Sequence, residues 1–236
     1  SKKAGVSIAT VSRVLNGSTN VKPKTRKKVM DIIEQYGYKP NAFARGLGLN
    51  SMKTIGILCA DASDLYLAKA LYYIEQNLRE NGYNSVLCCT GYEMDSRKES
   101  LNLLLSQHVD SVVMVGSNFI MNNPEDNQYV NEAALSVPIM LLNADYDCSN
   151  VYCTLCDDHK ATQDATEKML NAGLKNILYL YNSNSYSGLK KLAGYQNALL
   201  SHDIPVKKEL LQCFKGSNED IDGVKNFIEK IYNKWS

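Results

Sequence analysis

The chain has 236 residues, of which 44% are hydrophobic and 22% charged, and its formal net charge is +1. This composition excludes a chain that is disordered throughout, and no uninterrupted apolar run reaches the ~18 residues of a membrane span. Because the N-terminus also lacks the apolar region of a signal peptide, we expect a cytoplasmic protein with no membrane partner, long enough for one core and a small second domain.

Basic charge is concentrated in the first fifth of the chain. Residues 1–50 carry ten Lys or Arg and two acidic residues, a balance of +8, whereas residues 51–236 have a balance of −7. This division is typical of a small domain that binds a polyanion, joined to a body that does not. A basic surface that is merely solvated is the alternative interpretation.

The stretch GVSIATVSRVLNG, residues 5–17, predicts a short helix that begins after a sharp turn. Gly5 can take the positive φ of that turn, Ser7 is a good N-cap, and the helix then presents one apolar stripe of Val11, Val14 and Leu15. The preceding KKA is interpreted as the end of an earlier helix, and a third helix is predicted over residues 24–36. Two helices joined by a turn that contains Gly predict an all-α helix-turn-helix domain.

The outer face of this short helix carries side chains that suit the major groove of DNA. Small and apolar groups can contact thymine methyls, and an Arg fork can bind the O6/N7 edge of guanine. The residues on this face are Ile8, Ala9, Ser12 and Arg13. Ser7 and Thr10, at the positive end of the helix, are suited to hold a phosphate. The alternative is a helix packed against the rest of the protein, which would require a polar partner for Arg13.

Residues 41–51, NAFARGLGLNS, could form a helix only if contacts with another molecule or segment stabilised it. An Asn41 N-cap would begin it, but about ten residues are too few for a stable helix in water. A basic segment with a protruding Leu47 fits a helix that orders on DNA, with the Leu wedged between base steps in the minor groove. The alternative is a plain interdomain linker, which composition alone favours.

The remainder alternates short apolar runs with amphipathic stretches. The runs that predict strands are KTIGILCAD, NSVLCCTG, DSVVMVGS, VPIMLLNAD and KNILYLYNS. Alternation of strand and helix predicts an α/β fold with parallel sheets covered on both faces, which binds ligands at the carboxyl ends of the strands.

Motifs for catalysis and for cofactors are absent from the sequence. No GxGxxG, GxxxxGK[ST] or GxSxG is present, and His108, His159 and His202 lack metal-binding spacing. We therefore predict no enzyme activity, no cofactor and no metal site. His108 is interpreted as a surface or capping residue.

Cys88, Cys89, Cys153 and Cys156 lie in or beside apolar runs. They are expected to be reduced side chains buried in strands, which fits a reducing compartment. Half of a zinc site at Cys153-x-x-Cys156 is the alternative.

GVSIATVSRVLNG, followed by KTRKKVMDIIEQYGYKPNAFARGL and KTIGIL, resembles the lactose-repressor/galactose-repressor (LacI/GalR) family of bacterial transcription regulators over the first 58 residues. The resemblance implies that Ile8, Ala9 and Arg13 read bases. It further implies backbone contacts by Ser7, Thr10, Ser12, Asn16, Asn20 and Thr25, and a DNA-binding hinge helix, paired with that of a dimer mate, which contains Asn41, Ala44 and the wedge Leu47.

In the body, the resemblance implies a periplasmic-binding-protein-like pair of lobes with an effector between them. The effector-binding candidates are Asp61, Tyr66, Asn143, Lys191 and Phe214. Lys191 stands where the family normally has an Arg, and Asn143 where it often has an Asp. A point-like ammonium does not replace a guanidinium fork, so packing or solvation is the alternative for these residues.

The resemblance also predicts the domain boundaries. Residues 1–40 form the DNA-binding domain with a truncated first helix, residues 41–52 the hinge, residues 53–154 the first lobe, and residues 155–236 a second lobe that is incomplete. The predicted function is a homodimeric repressor that binds a near-palindromic operator in double-stranded DNA under the control of a small-molecule effector, expected to be a sugar. The alternatives are a cytoplasmic solute-binding module without specific DNA recognition and, third, an enzyme on the same body.

Overall fold

The computed structural model describes residues 1–37, 51–216 and 220–234. Its N-terminal unit consists of a 3-10 turn, Lys2–Ala4, and two helices, α1 (Ile8–Leu15) and α2 (Pro23–Gln35). Gly5, with φ of 61°, ends the 3-10 turn, and the Ser7 side chain caps α1 by accepting from the Thr10 N–H at 3.1 Å. The predicted turn and cap are therefore present, and KKA itself forms a single 3-10 turn.

A small core holds this unit together. Its buried side chains are Ala4, Val14, Val21 and Val29, and Val6, Val11, Ile32 and Ile33 pack around them. Burial of these side chains places one face of α1 against α2, so the opposite face of α1 points to solvent.

The first lobe contains one parallel sheet of five strands. Its elements are β1 (Thr54–Cys59), α3 (Leu65–Glu80), β2 (Asn84–Cys89), α4 (Met94–Ser106), β3 (Ser111–Val115), α5 (Gln128–Ala134), β4 (Ile139–Leu142) and β5 (Val151–Thr154), with a 3-10 turn at Pro124–Asn127. The strand order is β2-β1-β3-β4-β5. The hydrophobic core covers the central strands with fully buried side chains that include Leu58, Leu104, Val112 and Leu141.

The second lobe has a two-stranded parallel sheet. Its elements are α6 (Asp158–Asn171), β6 (Tyr179–Tyr181), α7 (Tyr186–Ser201), a 3-10 turn (Lys208–Leu210), β7 (Leu211–Cys213) and α8 (Ile221–Tyr232), and β6 pairs with β7. The fold class is thus a helical N-terminal domain followed by an α/β body with parallel sheets, as the sequence predicts.

A single carboxylate fastens the start of β1 to the central strands. Asp110, directly before β3, accepts from the Ser51 hydroxyl at 2.8 Å, the Met52 N–H at 2.8 Å and the Thr54 N–H at 3.3 Å. The segment that enters β1 is therefore anchored at the amino-terminal edge of the sheet, beside the strand that neighbours β1.

Helices α6 and α7 approach each other closely because Gly194 has no side chain. A methyl group there would lie 2.2 Å from the His159 carbonyl oxygen and 3.0 Å from the Gln163 nitrogen. Next to it, Tyr195 is buried and its hydroxyl donates to the Ile177 carbonyl at 2.8 Å.

The structure corrects the sequence predictions at two points. The five apolar runs correspond to β1, β2, β3, β4 and β6. VYCT (β5) is indicated only by the expectation of a strand at Cys153, and LQC (β7) is not predicted, because both segments are short and partly polar. The predicted burial of cysteines was wrong for Cys89, Cys153 and Cys156, which are exposed, while Cys88 is half-buried. Strands β2 and β5 are the sheet edges, so their side chains have fewer neighbours.

None of the helices within residues 1–37, 51–216 and 220–234 is long and apolar enough to cross a bilayer. In the same ranges, no group of three or more His, Cys, Asp or Glu side chains is arranged to share a metal ion.

Candidate DNA-binding face and ligand cavity

The solvent face of α1 carries the side chains that the sequence proposes for base recognition. Ile8 is 78% exposed, an unusual position for a large aliphatic side chain, and Ala9, Ser12 and Arg13 are also exposed. In the described part of the chain, Arg13 has neither an ion pair nor a side-chain hydrogen bond. An exposed Ile beside an unpaired guanidinium is a surface that can contact the edges of bases.

The amino-terminal end of α1 is polar and compact. The Ser7 and Thr10 hydroxyl groups lie 2.9 Å apart, and the Ser7 oxygen also caps the Thr10 N–H. The first-turn N–H groups and the positive end of the helix dipole favour an anion at this position, which fits a DNA phosphate.

The other predicted backbone contacts flank α1. Asn16 follows its last turn and its amide lies 3.5 Å from the Ser12 hydroxyl, whereas Asn20 is exposed in the following loop. Thr25 lies in the first turn of α2. The Arg26 guanidinium donates to the Ser18 carbonyl and so fixes this loop to α2. The predicted hinge residues Asn41, Ala44 and Leu47 lie outside the described residues.

A cavity of about 410 Å³ lies where the two lobes meet. From the first lobe it is lined by Asp64, Tyr66, Leu67, Tyr92, Gly116, Ser117, Asn118 and Asn143. From the second lobe it is lined by Tyr179, Leu180, Tyr181, Asn182, Ser183, Ser185, Ser187, Gly188 and Lys191. The Ser117 hydroxyl donates to the Ser185 hydroxyl at 2.9 Å and connects the lobes across the cavity.

The strand topology explains why these residues meet. The loops that follow β1, β2, β3 and β4 all leave the carboxyl-terminal edge of one parallel sheet, and the loop after β6 faces them. A crevice at this edge is the usual ligand site of parallel α/β folds. Asn143, which follows β4 with a φ of 64°, is held in place by the Cys156 N–H, which donates to its side-chain oxygen at 3.4 Å.

Acidic and basic groups are paired at the cavity. The Asp158 carboxylate accepts from the Ser187 hydroxyl at 2.5 Å, and its other oxygen lies 3.6 Å from the Lys191 ammonium. Burial, and secondarily the nearby Asp158 carboxylate, raises the pKa of the Tyr179 phenol. Burial also raises the pKa of Tyr66, with further contributions from Cys156 and Asp158. The phenols therefore keep their protons at neutral pH and can act as hydrogen-bond donors.

Three of the five predicted effector residues line the cavity, and two do not. Tyr66, Asn143 and Lys191 are part of the lining. Asp61 instead accepts from the Ser63 N–H and hydroxyl, at 2.8 and 2.7 Å, and these hydrogen bonds lower its pKa. Phe214 packs on Phe227 of α8 with ring centroids 5.5 Å apart. The structure thus gives both residues local contacts away from the lining.

Several lining residues were not predicted. Ser117 and Asn118 follow β3 after one intervening glycine, so their position after an apolar run was a usable signal. Tyr179 and Tyr181 were interpreted only as part of a strand, and Ser185 only precedes a helix. Nothing in the sequence alone indicates that these side chains from two lobes converge.

A helix-turn-helix unit with an exposed basic face, joined to two α/β lobes around a cavity, defines the class of ligand-regulated DNA-binding proteins. Comparison with family models gives the same result. Residues 1–41 match the bacterial regulatory proteins of the lacI family, and residues 52–234 match the periplasmic binding proteins and sugar binding domain of the LacI family. The chain belongs to the LacI family of bacterial regulatory proteins.

Individual relatives agree with this assignment. An HTH-type transcriptional regulator of Lachnoclostridium phytofermentans is 56% identical over 230 residues, which are 98% of this chain and 69% of that protein. Catabolite control protein A of Priestia megaterium is 34% identical over 209 residues, which are 87% of this chain and 61% of that protein. The chain spans about two thirds of the length of these relatives.

Solved structures share the fold. The lac repressor dimer bound to operator and the anti-inducer ONPF has a TM-score of 0.72 at 24% identity, with coverage of 86% of this chain and 61% of that one. The transcriptional regulator CelR in complex with cellobiose has a TM-score of 0.63 at 24% identity, with coverage of 98% and 68%.

Proposed function

We propose that this chain is a sequence-specific repressor that binds a near-palindromic operator as a homodimer and changes its operator affinity when a sugar binds between the lobes. The observation that carries the proposal is that one chain combines the exposed recognition face of α1 with a cavity to which both lobes contribute. Because the operator is chromosomal DNA, the proposal implies a cytoplasmic location. It also implies a binding role and no catalytic one.

The assigned roles follow from the geometry and the family. We assign base recognition to Ile8, Ala9 and Arg13, and backbone contacts to Ser7, Thr10, Ser12, Asn16, Asn20 and Thr25. By family membership, the proposal extends to a hinge over residues 41–52, in which Asn41, Ala44 and Leu47 bind the minor groove. The lobes then correspond to residues 53–154 and 155–236.

Regulation is proposed to act through the relative position of the two lobes. A ligand can shift an equilibrium only by the difference in its affinity for the two states. Since the cavity is lined by both lobes and crossed by the Ser117–Ser185 hydrogen bond, a sugar that replaces or extends this bridge binds one arrangement better than the other. Two solved structures with the same fold have the kinds of partner proposed for this chain: a repressor dimer bound to operator and a regulator in complex with cellobiose.

Selection of duplexes from a random pool, followed by anisotropy titration at two salt concentrations, tests the proposal. We expect a two-fold symmetric site with a central pyrimidine–purine step, bound at least a hundredfold more tightly than a scrambled duplex, with affinity that falls steeply with salt. A panel of sugars is then tested for a shift in operator affinity. Equal binding to operator and scramble, or ligand binding without any duplex binding, would instead support a solute-binding module.

A further inference from the structure

Arg97, in the first turn of α4, carries a positive charge in the interior of the first lobe. The residue is only 5% exposed, and the ion pairs of the described residues do not include it. In the same part of the chain, its Nε is a buried donor without a hydrogen-bond partner. A buried cation with no counter-ion and an unused donor lowers stability, so the needs of the fold alone do not explain an arginine here.

The two terminal nitrogens of the Arg97 guanidinium connect two loops. Nη2 donates to the Tyr92 carbonyl, in the loop between β2 and α4, and Nη1 lies 3.4 Å from the Met121 sulfur, in the loop that follows β3. The donors of a guanidinium are fixed in a planar fork, so one side chain can reach both loops. A carbonyl oxygen and a thioether carry no formal charge, so neither contact neutralises the cation.

The loop after β3 depends on side chains for its shape. Its backbone is neither strand nor helix at Met121, and the Asn127 amide holds it there: the Met121 N–H donates to the Asn127 Oδ1 at 2.7 Å, and the Asn127 Nδ2 donates to the Met121 carbonyl at 2.9 Å. Asn127 is only 2% exposed. Arg97 adds the connection from this fixed point to the loop at Tyr92.

Both loops contribute side chains to the cavity between the lobes. Tyr92 lines the cavity from the loop after β2, and Ser117 and Asn118 line it from the loop after β3. Arg97 itself is not among the lining residues. Any effect of Arg97 on a bound ligand is therefore indirect and acts through the position of the two loops.

We infer that Arg97 is a positioning residue of the ligand site, whose guanidinium fork holds the loops at Tyr92 and Met121 in the arrangement that forms one wall of the cavity. Its unpaired charge makes the folded chain less stable than an uncharged side chain at this position would. This inference rests on the proposed function, because the wall has a role only if a ligand binds there. A functional side chain that lowers stability is a common compromise in ligand sites.

Urea denaturation and hydrogen exchange measured by NMR test the inference on the full chain without ligand. For Arg97→Met, we expect a urea midpoint equal to or above that of the unsubstituted chain, because the buried charge is removed. The Gly91 and Met121 amides, which donate to the Ala60 carbonyl and the Asn127 side chain, should exchange at least tenfold faster. Amides in the centres of β1 and β3 should exchange as before. A purely structural core residue predicts a lower midpoint and faster exchange throughout the first lobe.

Arg97→Lys separates the effect of the fork from that of the charge. Lysine keeps the buried charge, but its single ammonium cannot hold both loops as the fork does, so we expect a lower urea midpoint and no recovery of slow exchange. Lys98→Met, which removes an exposed positive charge from the next position of α4, is the control and should change neither measurement. Slow exchange of both loops in Arg97→Met, a lower midpoint in that variant, or full recovery in Arg97→Lys overturns the inference.

Calorimetric titration with glucose, cellobiose and the other sugars of the panel gives a second readout. A sugar that binds the unsubstituted chain should bind Arg97→Met about tenfold more weakly and Lys98→Met with the same affinity. Equal affinity for all three proteins overturns the role of Arg97 at the ligand site. If none of these sugars binds the unsubstituted chain, the proposed function is contradicted, and the exchange of the Gly91 and Met121 amides still decides whether Arg97 positions the loops.

Discussion

Two neighbouring residues on α1, Arg13 and Val14, have opposite surroundings. Val14 is 3% exposed in the core of the N-terminal unit, whereas Arg13 points to solvent. The apolar stripe of the helix fixes this difference, because burying Val14 against α2 turns the adjacent side chain outward. The base recognition proposed for Arg13 therefore depends on a packing contact that the sequence pattern already indicates.

Replacement of Arg13 tests base recognition directly. We expect Arg13→Ala to weaken binding to the selected operator by about 1–3 kcal/mol, because a bidentate contact with guanine is lost. Binding to scrambled DNA should weaken far less. Lys27→Ala, which removes an exposed charge from α2, is the control and should weaken binding to both duplexes similarly. Anisotropy titrations that show equal losses for Arg13→Ala on both duplexes would contradict the assignment.

Tyr129 provides a residue-level prediction for stability. Burial raises the pKa of Tyr129 to about 12, and its hydroxyl donates to the Phe119 carbonyl at 2.5 Å. In the unfolded chain the Tyr129 phenol loses its proton near pH 10, whereas in the folded chain it keeps the proton until about pH 12. The contribution of Tyr129 to the free energy of unfolding is therefore fully present below pH 10. It is lost as the pH rises from 10 to 12, by about 1.4 kcal/mol for each unit of pKa difference.

Urea denaturation at pH 9 and at several values up to pH 12 measures this effect. Tyr129→Phe should make the alkaline loss of stability smaller than in the unsubstituted chain. Tyr152→Phe, at a position that is 56% exposed, should leave it unchanged. Identical alkaline slopes for all three proteins would show that Tyr129 does not carry the pH dependence.

Sequence reasoning succeeded for residues whose role depends on local geometry and was less complete for those that depend on contacts across the chain. Ser7 as an N-cap and Gly5 in a left-handed turn are properties of short segments, and both are observed. The convergence of Ser117 and Ser185 requires two lobes to meet, and 68 residues separate them. No periodicity or spacing encodes that meeting.

At the scale of elements, the pairing of α6 with α7 controls the geometry of the cavity. Asp158 begins α6, while Ser187 and Lys191 lie on α7, so both contacts of the Asp158 carboxylate cross between these helices. The close approach at Gly194 sets the distance between them. The need for a residue without a side chain at their crossing is visible only in the structure.

Substitution of this glycine should therefore disturb ligand binding as well as stability. We expect Gly194→Ala to push α6 and α7 apart, to lower the free energy of unfolding by about 1–3 kcal/mol, and to weaken binding of the sugar that the unsubstituted chain prefers. Urea denaturation and calorimetry measure the two effects. Leu200→Ala, at a site on α7 that is 60% exposed, is the control and should change neither. An unaltered sugar affinity in Gly194→Ala would show that the spacing between α6 and α7 does not affect the cavity.

At the scale of the whole molecule, the described residues form three separate hydrophobic clusters. One lies in the N-terminal unit, one in the first lobe and one in the second lobe, and they share no buried side chain. The clusters of the N-terminal unit and of the second lobe have four buried apolar residues each, fewer than that of the first lobe. Cooperative units with small cores open most easily, so the chain is expected to lose its structure in stages.

Hydrogen exchange followed by mass spectrometry can resolve these stages. We expect the amides of residues 8–35 to exchange faster than those of the central strands of the first lobe. Operator DNA should slow exchange in residues 8–35, and a bound sugar should slow exchange around residues 116–118 and 182–191, because each ligand stabilises the unit that it contacts. A scrambled duplex is the control. Exchange of all three clusters in one cooperative event would contradict this picture.

The anchor at Asp110 has a mechanical consequence. The chain that arrives at Ser51 is fastened to the amino-terminal ends of β1 and β3, and the cavity lies at the other ends of the same strands. With six residues at about 3.3 Å each, β1 connects the two places over roughly 20 Å. Both strands have hydrogen-bonded neighbours on each side, so they resist stretching and bending. A pulling force applied before Ser51 is therefore expected to act along β1 and to reach the cavity at the other end of this strand.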